Sequence, residues 1–255
     1  MITSSTNGQI KNLIKLQKSG KARKEQGVFV AEGLRLFREI PKEQVVKAYV
    51  TEEFFEKNKE LLQGMDYELV SGAVLKEASD TKTPQGILAV VKMFYHSLEE
   101  IQEIKNPCFM VLENIQDPGN LGTIIRTSEG AGVSAILMTE DTVDIYNSKV
   151  VRSTMGSIFR MPFFVLSIEE IFDFLEERNI ISYGAHLEGQ DFYKENYKIS
   201  CAFFIGNEGN GLTKETAKRV KKKIKIPMYG QVESLNAAIA STVLMYEAMR
   251  QRRTD

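Results

Sequence analysis

From residue 107 onward the chain repeats one pattern: a short run of apolar residues, a polar or glycine-rich break, then a stretch with helical spacing. The apolar runs are CFMVLEN (108–114), AILMT (135–139), ISYGAHL (181–187), CAFFIGN (201–207) and KIKIPM (223–228). They are too short for helices and rich in β-branched or aromatic residues, which reads as buried strands. Helices are predicted at Leu121–Ala131, Ser148–Ile158, Ile168–Arg178, Lys214–Val220 and Leu235–Arg250. Strands that are apolar throughout, alternating with helices, indicate a parallel sheet covered on both faces.

The first ~95 residues are patterned differently and predict a small α/β unit. A helix begins at Ile10 to Leu16, GVFVAEG passes from strand into a helix at Leu34–Ile40, and VVKAYV is a strand. Thr51 caps the helix TEEFFEKNKELL, and YELV and GILAVVK supply the last strands. The charged stretch HSLEEIQEIKNP then closes on a proline. These breaks predict an N-terminal domain over 1–97, a linker over 98–106 and a second domain over 107–255.

At 255 residues and 43% hydrophobic, the chain can bury a core without disulfides or metals. Cys108 and Cys201 both sit in apolar runs and read as buried thiols of a reducing compartment. Two cysteines and two histidines provide no metal-ligand spacing, so no metal is expected. The opening MITSSTNGQI has no basic start followed by an apolar stretch, and no apolar run approaches the ~18 residues of a membrane span. The expected location is cytoplasmic.

The net charge of −1 excludes a globally basic protein, but the charge is unevenly spread. Lys11, Lys15, Lys18, Lys21, Arg23 and Lys24 fall together with no acidic residue among them, and a second basic cluster spans Lys218 to Lys225. Each is either a solvated helix face or a stripe that tracks a phosphate backbone.

Three segments are polar or glycine-rich directly after an apolar strand, the position where parallel sheets bind ligands. In LENIQDPGNLGTIIRTSEGAG (112–132) a tight turn at Pro118 and Gly119 leads to Asn120, a candidate helix cap. Arg126 follows six residues later, either as a core-edge ion pair or as an anion ligand. In FFIGNEGNGL (203–212) the glycines reverse the order of a dinucleotide fingerprint, yet still permit close approach of backbone to a ligand. Glu208 stands in that loop as a solvated or a functional carboxylate. In KIPMYGQVESLNAAIAS (225–241), Ser234 and Asn236 are caps or site residues. ESL is not a serine-hydrolase elbow. His186 follows a strand end and can face a ligand; His96 reads as a surface or structural residue.

NLGTIIRTSEGAG, FFIGNEGNGL and IPMYGQVESLNAAIAS, in this order and spacing, resemble the signature motifs of the SpoU/TrmH RNA methyltransferases. GVFVAEGLRLFREI and TPQGILAVV resemble the substrate-binding domain of its ribosomal RNA subgroup. The resemblance implies a SPOUT fold with a C-terminal deep trefoil knot, a homodimer, and S-adenosylmethionine (SAM) as cofactor. It places SAM against Gly206, Ile226, Met228, Ser234, Leu235 and Asn236. It makes Asn120, Arg126, Glu208, Ser234 and Asn236 the catalytic set, and Lys11 to Lys24 RNA contacts. The implied activity is 2′-O-ribose methylation of ribosomal RNA, with 23S rRNA expected. A transfer-RNA methylase and a non-catalytic RNA-binding or ribosome-assembly protein are the alternatives; a nucleotide-dependent oxidoreductase is disfavoured by the glycine order. An arginine is too weak a base to take the hydroxyl proton. Arg126 is therefore expected to clamp phosphate and the developing alkoxide, with Glu208 orienting Arg126 or Asn120.

Overall fold

The computed structural model describes residues 1–253 and divides into two compact units. The first comprises Met1–Tyr95 and Asp144–Phe159; the second comprises His96–Val143 and Arg160 onward. Residues 144–159 thus pack with the first unit, although the chain on either side of them belongs to the second.

The first unit contains helices α1 (Gly8–Lys18), α2 (Gly20–Gln26), α3 (Leu34–Phe37), α4 (Glu52–Asn58) and α5 (Gly72–Ala78). Its strands are β1 (Val28–Glu32), β2 (Val45–Val50), β3 (Tyr67–Leu69) and β4 (Ile87–Lys92). The sheet runs β1-β4-β2-β3, with β4 antiparallel to β1 and β2, and β3 parallel to β2. Side-chain oxygens of Asn7, Ser19, Thr51 and Ser71 accept the first orphan N–H groups of α1, α2, α4 and α5. Gly27, at φ 64°, ends α2 in the left-handed conformation that glycine adopts without strain. Ile10, Leu13 and Leu16 of α1 are buried with Val30, Val74, Leu75 and Leu88.

The second unit opens with α6 (Glu99–Gln102), a short helix within the predicted linker. Its strands are β5 (Cys108–Leu112), β6 (Ala135–Met138), β7 (Phe163–Val165), β8 (Ile181–Asp191), β9 (Cys201–Ile205) and β10 (Lys222–Lys225). All pair in parallel, in the order β10-β8-β9-β5-β6-β7. Its further helices are α7 (Pro118–Gly130), α9 (Ile168–Glu177), α10 (Lys214–Arg219) and α11 (Ala237–Arg252); α8 (Ser148–Ser153) lies in the first unit. The predicted helix Ser148–Ile158 is accordingly shorter than expected, because the chain turns at Thr154–Gly156.

Every residue of β5, β6 and β9 is buried, as strands covered on both faces must be. Phe109, Val111, Leu137, Ala202 and Phe204 face one way and pack with Ile171, Phe172 and Leu175 of α9 and Ala217 of α10. On the other side α11 packs against α7 and β9. Cys108 and Cys201 are register partners across β5 and β9, both buried and unbridged, with their sulfurs 3.8 Å apart. Ser167 and Glu170 form a capping box at the start of α9.

This topology fixes where a ligand can enter. From β5 the chain proceeds through α7 toward β6 and β7, whereas from β9 it proceeds through α10 toward the opposite edge. The loops after β5 and β9 therefore diverge, leaving a crevice at the carboxyl ends of two adjacent strands.

Candidate active site

Three loops meet at this crevice: residues 113–117 after β5, 206–213 after β9, and 226–236 between β10 and α11. Gly206 is the pivot of the second. A Cβ there would lie 2.1 Å from the carbonyl carbon of Gly211, so any larger residue would push the loop open. Asn207 folds the same loop, its Oδ1 accepting from the N–H groups of Gly209 and Asn210 at 2.9 and 3.2 Å. Its Nδ2 donates to the carbonyl of Asn114 at 2.9 Å, which joins the second loop to the first.

Beyond that joint the polar groups form a directional relay. Asn236 caps α11, so its Oδ1 is committed to the N–H groups of Ala238 and Ile239. Its Nδ2 donates to Asn120 Oδ1 at 2.9 Å. That leaves Nδ2 of Asn120 to donate to Glu208 Oε1 at 3.0 Å. Glu208 also receives the N–H of Asp117 at 3.0 Å and of Gln116 at 3.1 Å. Each amide can be oriented in only one way: a helix N-terminus sets one end of the relay, and a carboxylate, which only accepts, sets the other. Burial acts to raise the Glu208 carboxyl, but the hydrogen bonds from Asn120, Asp117 and Gln116 outweigh it and hold it below the usual glutamate value.

Asn120 was expected to cap α7. The cap is instead Asp117, whose Oδ1 accepts from the N–H of Asn120. Pro118 takes the first helical position, where its missing N–H costs nothing. Asn120 thus stands inside the first turn, with its side chain free to link Glu208 and Asn236. Arg126 lies on the same helix, about 9 Å further along its axis. It is exposed, and among the described residues no carboxylate or hydrogen-bond acceptor engages it. Glu208 therefore orients Asn120 and not Arg126, whose guanidinium is open to an anion.

The loops enclose a cavity of about 640 Å³. Gly206, Glu208, Ile226, Met228, Ser234 and Leu235 line it, with Leu212, Ala237, Ala240 and Leu244 supplying apolar surface. His186 and Leu187, within β8 beyond the part that pairs with β9, form another wall. Asn236 is outside the lining and acts through its relay to Asn120. Residues 226–235 belong to no helix or strand, and among the described residues their N–H and C=O groups make no backbone–backbone hydrogen bonds. A flat heteroaromatic base fits this lining: apolar side chains for its faces and free peptide groups for its edge.

Gln116, Asp117 and Asn207 are the site residues that sequence reasoning missed. Asp117 had a signal, since it immediately precedes the Pro-Gly turn and is a strong capping type. Gln116 contributes only its backbone N–H to Glu208, which no side-chain pattern reveals. In the first unit Lys11, Lys15, Lys18, Lys21 and Lys24 are exposed, but Arg23 is not. Arg23 is 3% exposed, its Nε donating to Asp144 at 3.0 Å and its Nη1 to the carbonyls of Leu16 and Gln17. Its inclusion among RNA contacts is corrected: a guanidinium so engaged holds α1, α2 and the 144–159 segment together.

A parallel sheet with a lined cavity at its switch point is the architecture of an α/β enzyme that holds a cofactor beyond its strand ends. Residues 107–246 match the SpoU rRNA Methylase family, and residues 7–89 match the MRM3-like substrate binding domain. The chain belongs to the SpoU rRNA methylase family, whose members are SAM-dependent RNA 2′-O-ribose methyltransferases. It is 32% identical over 247 residues to 23S rRNA (guanosine(2553)-2′-O)-methyltransferase RlmP of Bacillus subtilis, covering 96% of this chain and 97% of the relative. It is 29% identical to human mitochondrial rRNA methyltransferase 3, covering 96% of this chain and 73% of the relative. The crystal structure of an AdoMet-bound rRNA methyltransferase from Sinorhizobium meliloti superposes with a TM-score of 0.89 at 29% identity, covering 99% of this chain and 98% of that one.

Proposed function

We propose that this protein methylates a ribose 2′-hydroxyl of 23S rRNA, with SAM held in the cavity between loops 206–213 and 226–236. The observation that carries the reading is the relay from Asn236 through Asn120 to Glu208, which ties the first turn of α7 to the two loops that line the cavity. When bound, SAM supplies a methyl group already activated by its sulfonium. The protein's own contribution is alignment, and positioning two reactants can supply up to ~7–11 kcal/mol.

Gly206, Ile226, Met228, Ser234 and Leu235 would hold SAM, chiefly through backbone groups and apolar contact. Arg126, cationic and unpaired, draws in the RNA phosphate and stabilises the alkoxide that develops on the ribose oxygen. It does not take the proton, which passes to water or a neighbouring group. Asn120 holds its amide toward the site because Glu208 and Asn236 leave it no other orientation. Ser234 offers a hydroxyl at the cavity wall for the incoming ribose.

The match of residues 7–89 to a substrate-binding domain favours ribosomal over transfer RNA as the target. In this reading exposed Lys11, Lys15, Lys18, Lys21 and Lys24 contact phosphates. We also propose a homodimer, supported by apolar residues left exposed on and near α11, among them Val232, Ile239 and Tyr246. The path from β9 out to edge strand β10 and back to α11 against β9 is compatible with the expected trefoil knot. We propose a cytoplasmic location together with the 23S rRNA substrate.

The test is transfer of labelled methyl from SAM to total ribosomal and transfer RNA taken from cells lacking this gene. Label at one 23S position that resists alkaline cleavage supports the reading. Label confined to transfer RNA, or on a base, overturns it.

A further inference from the structure

The carboxylate of Glu113 is 3% exposed at the carboxyl end of β5, away from the relay described above. Its side-chain hydrogen bonds reach the far end of the 206–213 loop and the first turn of α10. Oε2 accepts from the N–H of Thr213 at 2.8 Å, and Oε1 from the hydroxyls of Thr213 at 2.8 Å and Thr216 at 2.5 Å. Thr213 is also the cap of α10, its hydroxyl oxygen accepting from the N–H of Thr216 at 3.2 Å. Glu113 thus takes three donors and gives none, a pattern that a carboxamide could meet only if both threonine hydroxyls turned round to accept.

We propose that Glu113 is a positioning residue that locks the cavity loop into its cofactor-binding shape. The loop has two ends to fix. Gly206 emerges from β9, which pairs with β5, so that end is held by the sheet. The other end, Leu212–Thr213, is held by Glu113. Between them Asn207 is tied to the carbonyl of Asn114, the next residue along from Glu113. Residues 113 and 114 therefore clamp both the loop's body and its exit, while Glu208 at its crown reaches Asn120. Releasing the exit lets Gly209–Leu212 move away from the cavity they line. A buried carboxylate that joins a loop's exit to the first turn of the following helix is an expensive way merely to fill space. Its placement on the wall of the cavity loop gives that cost a use. The inference rests on the reading that this cavity holds SAM.

Glu113→Gln tests it in the full-length protein, since the amide would either set an NH2 against the N–H of Thr213 or oblige both threonine hydroxyls to reverse and accept. SAM affinity is measured by calorimetry, and amide exchange is followed in the cofactor-free protein. Glu113→Gln is expected to weaken SAM binding at least tenfold and to speed exchange at Gly209–Thr213 at least tenfold, with β5 and β6 protection unchanged. Thr213→Val should reproduce this, Thr213→Ser should bind within twofold of wild type, and the Glu113→Gln/Thr213→Val double variant should be no weaker than the worse single one. SAM affinity within twofold of wild type in folded Glu113→Gln overturns the proposal. So does loosening spread equally over β5, β6 and β9, which would make Glu113 a simple stabiliser. Leu235→Glu, in the cavity wall, separates the two ideas: unchanged SAM binding there overturns the cavity reading itself.

Discussion

Replacing Glu208 by glutamine changes one atom and should break the relay at a defined point. In the wild type one carboxylate oxygen receives the N–H of Asp117 and the amide of Asn120, and the other receives the N–H of Gln116. Glutamine has a single acceptor oxygen. Its better orientation keeps Asp117 and Asn120 and turns an NH2 toward the N–H of Gln116, so one hydrogen bond becomes a donor–donor contact. A hydrogen bond to a charged group contributes roughly 1.5–3 kcal/mol. Glu208 is largely exposed, and solvent screening reduces that to about 1–1.5 kcal/mol. If the loss falls on the aligned state, about 1.4 kcal/mol is tenfold in rate. Single-turnover methyl transfer should therefore slow about tenfold in Glu208→Gln, with SAM affinity within threefold of wild type. Asn120→Ala should slow it as well, and the double variant should show the two effects to be non-additive. A Glu208→Gln rate within twofold of wild type, or strict additivity with Asn120→Ala, would refute the relay.

The same carboxylate predicts a pH dependence with a definite sign. Its folded value is depressed, so its stabilisation of the loop is fully present above the unfolded value and is lost as pH falls through the folded one. The stability difference between wild type and Glu208→Gln should stay constant above about pH 5 and shrink at more acidic pH, as urea midpoints would show; a difference that grows on acidification contradicts the assignment. Arg126→Ala should abolish methyl transfer while SAM affinity stays within threefold, and Arg126→Lys should restore little, because a point charge does not reproduce the planar fork; lost SAM binding would place Arg126 in the cofactor site instead. Lys15→Gln combined with Lys18→Gln should lower the slope of log affinity against log salt by up to about 0.9 per lost phosphate contact, measured by filter binding to rRNA fragments. Arg23→Ala should instead destabilise the first unit by about 3–5 kcal/mol, since it leaves Asp144 without its partner; a well-folded variant with weakened RNA binding would reverse that correction.

The strands of the second unit were legible because burial on both faces leaves no polar position to interrupt them, as in CFMVL and CAFFI. The helix Ile168–Glu177 was legible because its apolar stripe and its serine cap agree. The motifs placed Glu208, Asn120 and Asn236 in one site, but not the order of their bonds. Asn236 and Asn120 lie 116 positions apart, and local spacing carries no information about a contact of that range. The cap at Asp117 was misread as Asn120 because both residue types cap helices and only the backbone decides between them. Arg23 was misread for a related reason. Its neighbours Lys21 and Lys24 are exposed, and nothing local announces a carboxylate 121 positions away. The fold of 144–159 into the first unit has the same origin, since the contacts that hold it, such as Tyr146 with Phe94, span about 50 residues.

The most direct test of the site is a crystal structure of the protein grown with SAM. The cofactor should lie between residues 206–212 and 226–235, its base against Leu235 and backbone of the 226–236 loop, with Arg126 unengaged by it. Cofactor density outside that cavity, or SAM paired directly with Arg126, would contradict the account.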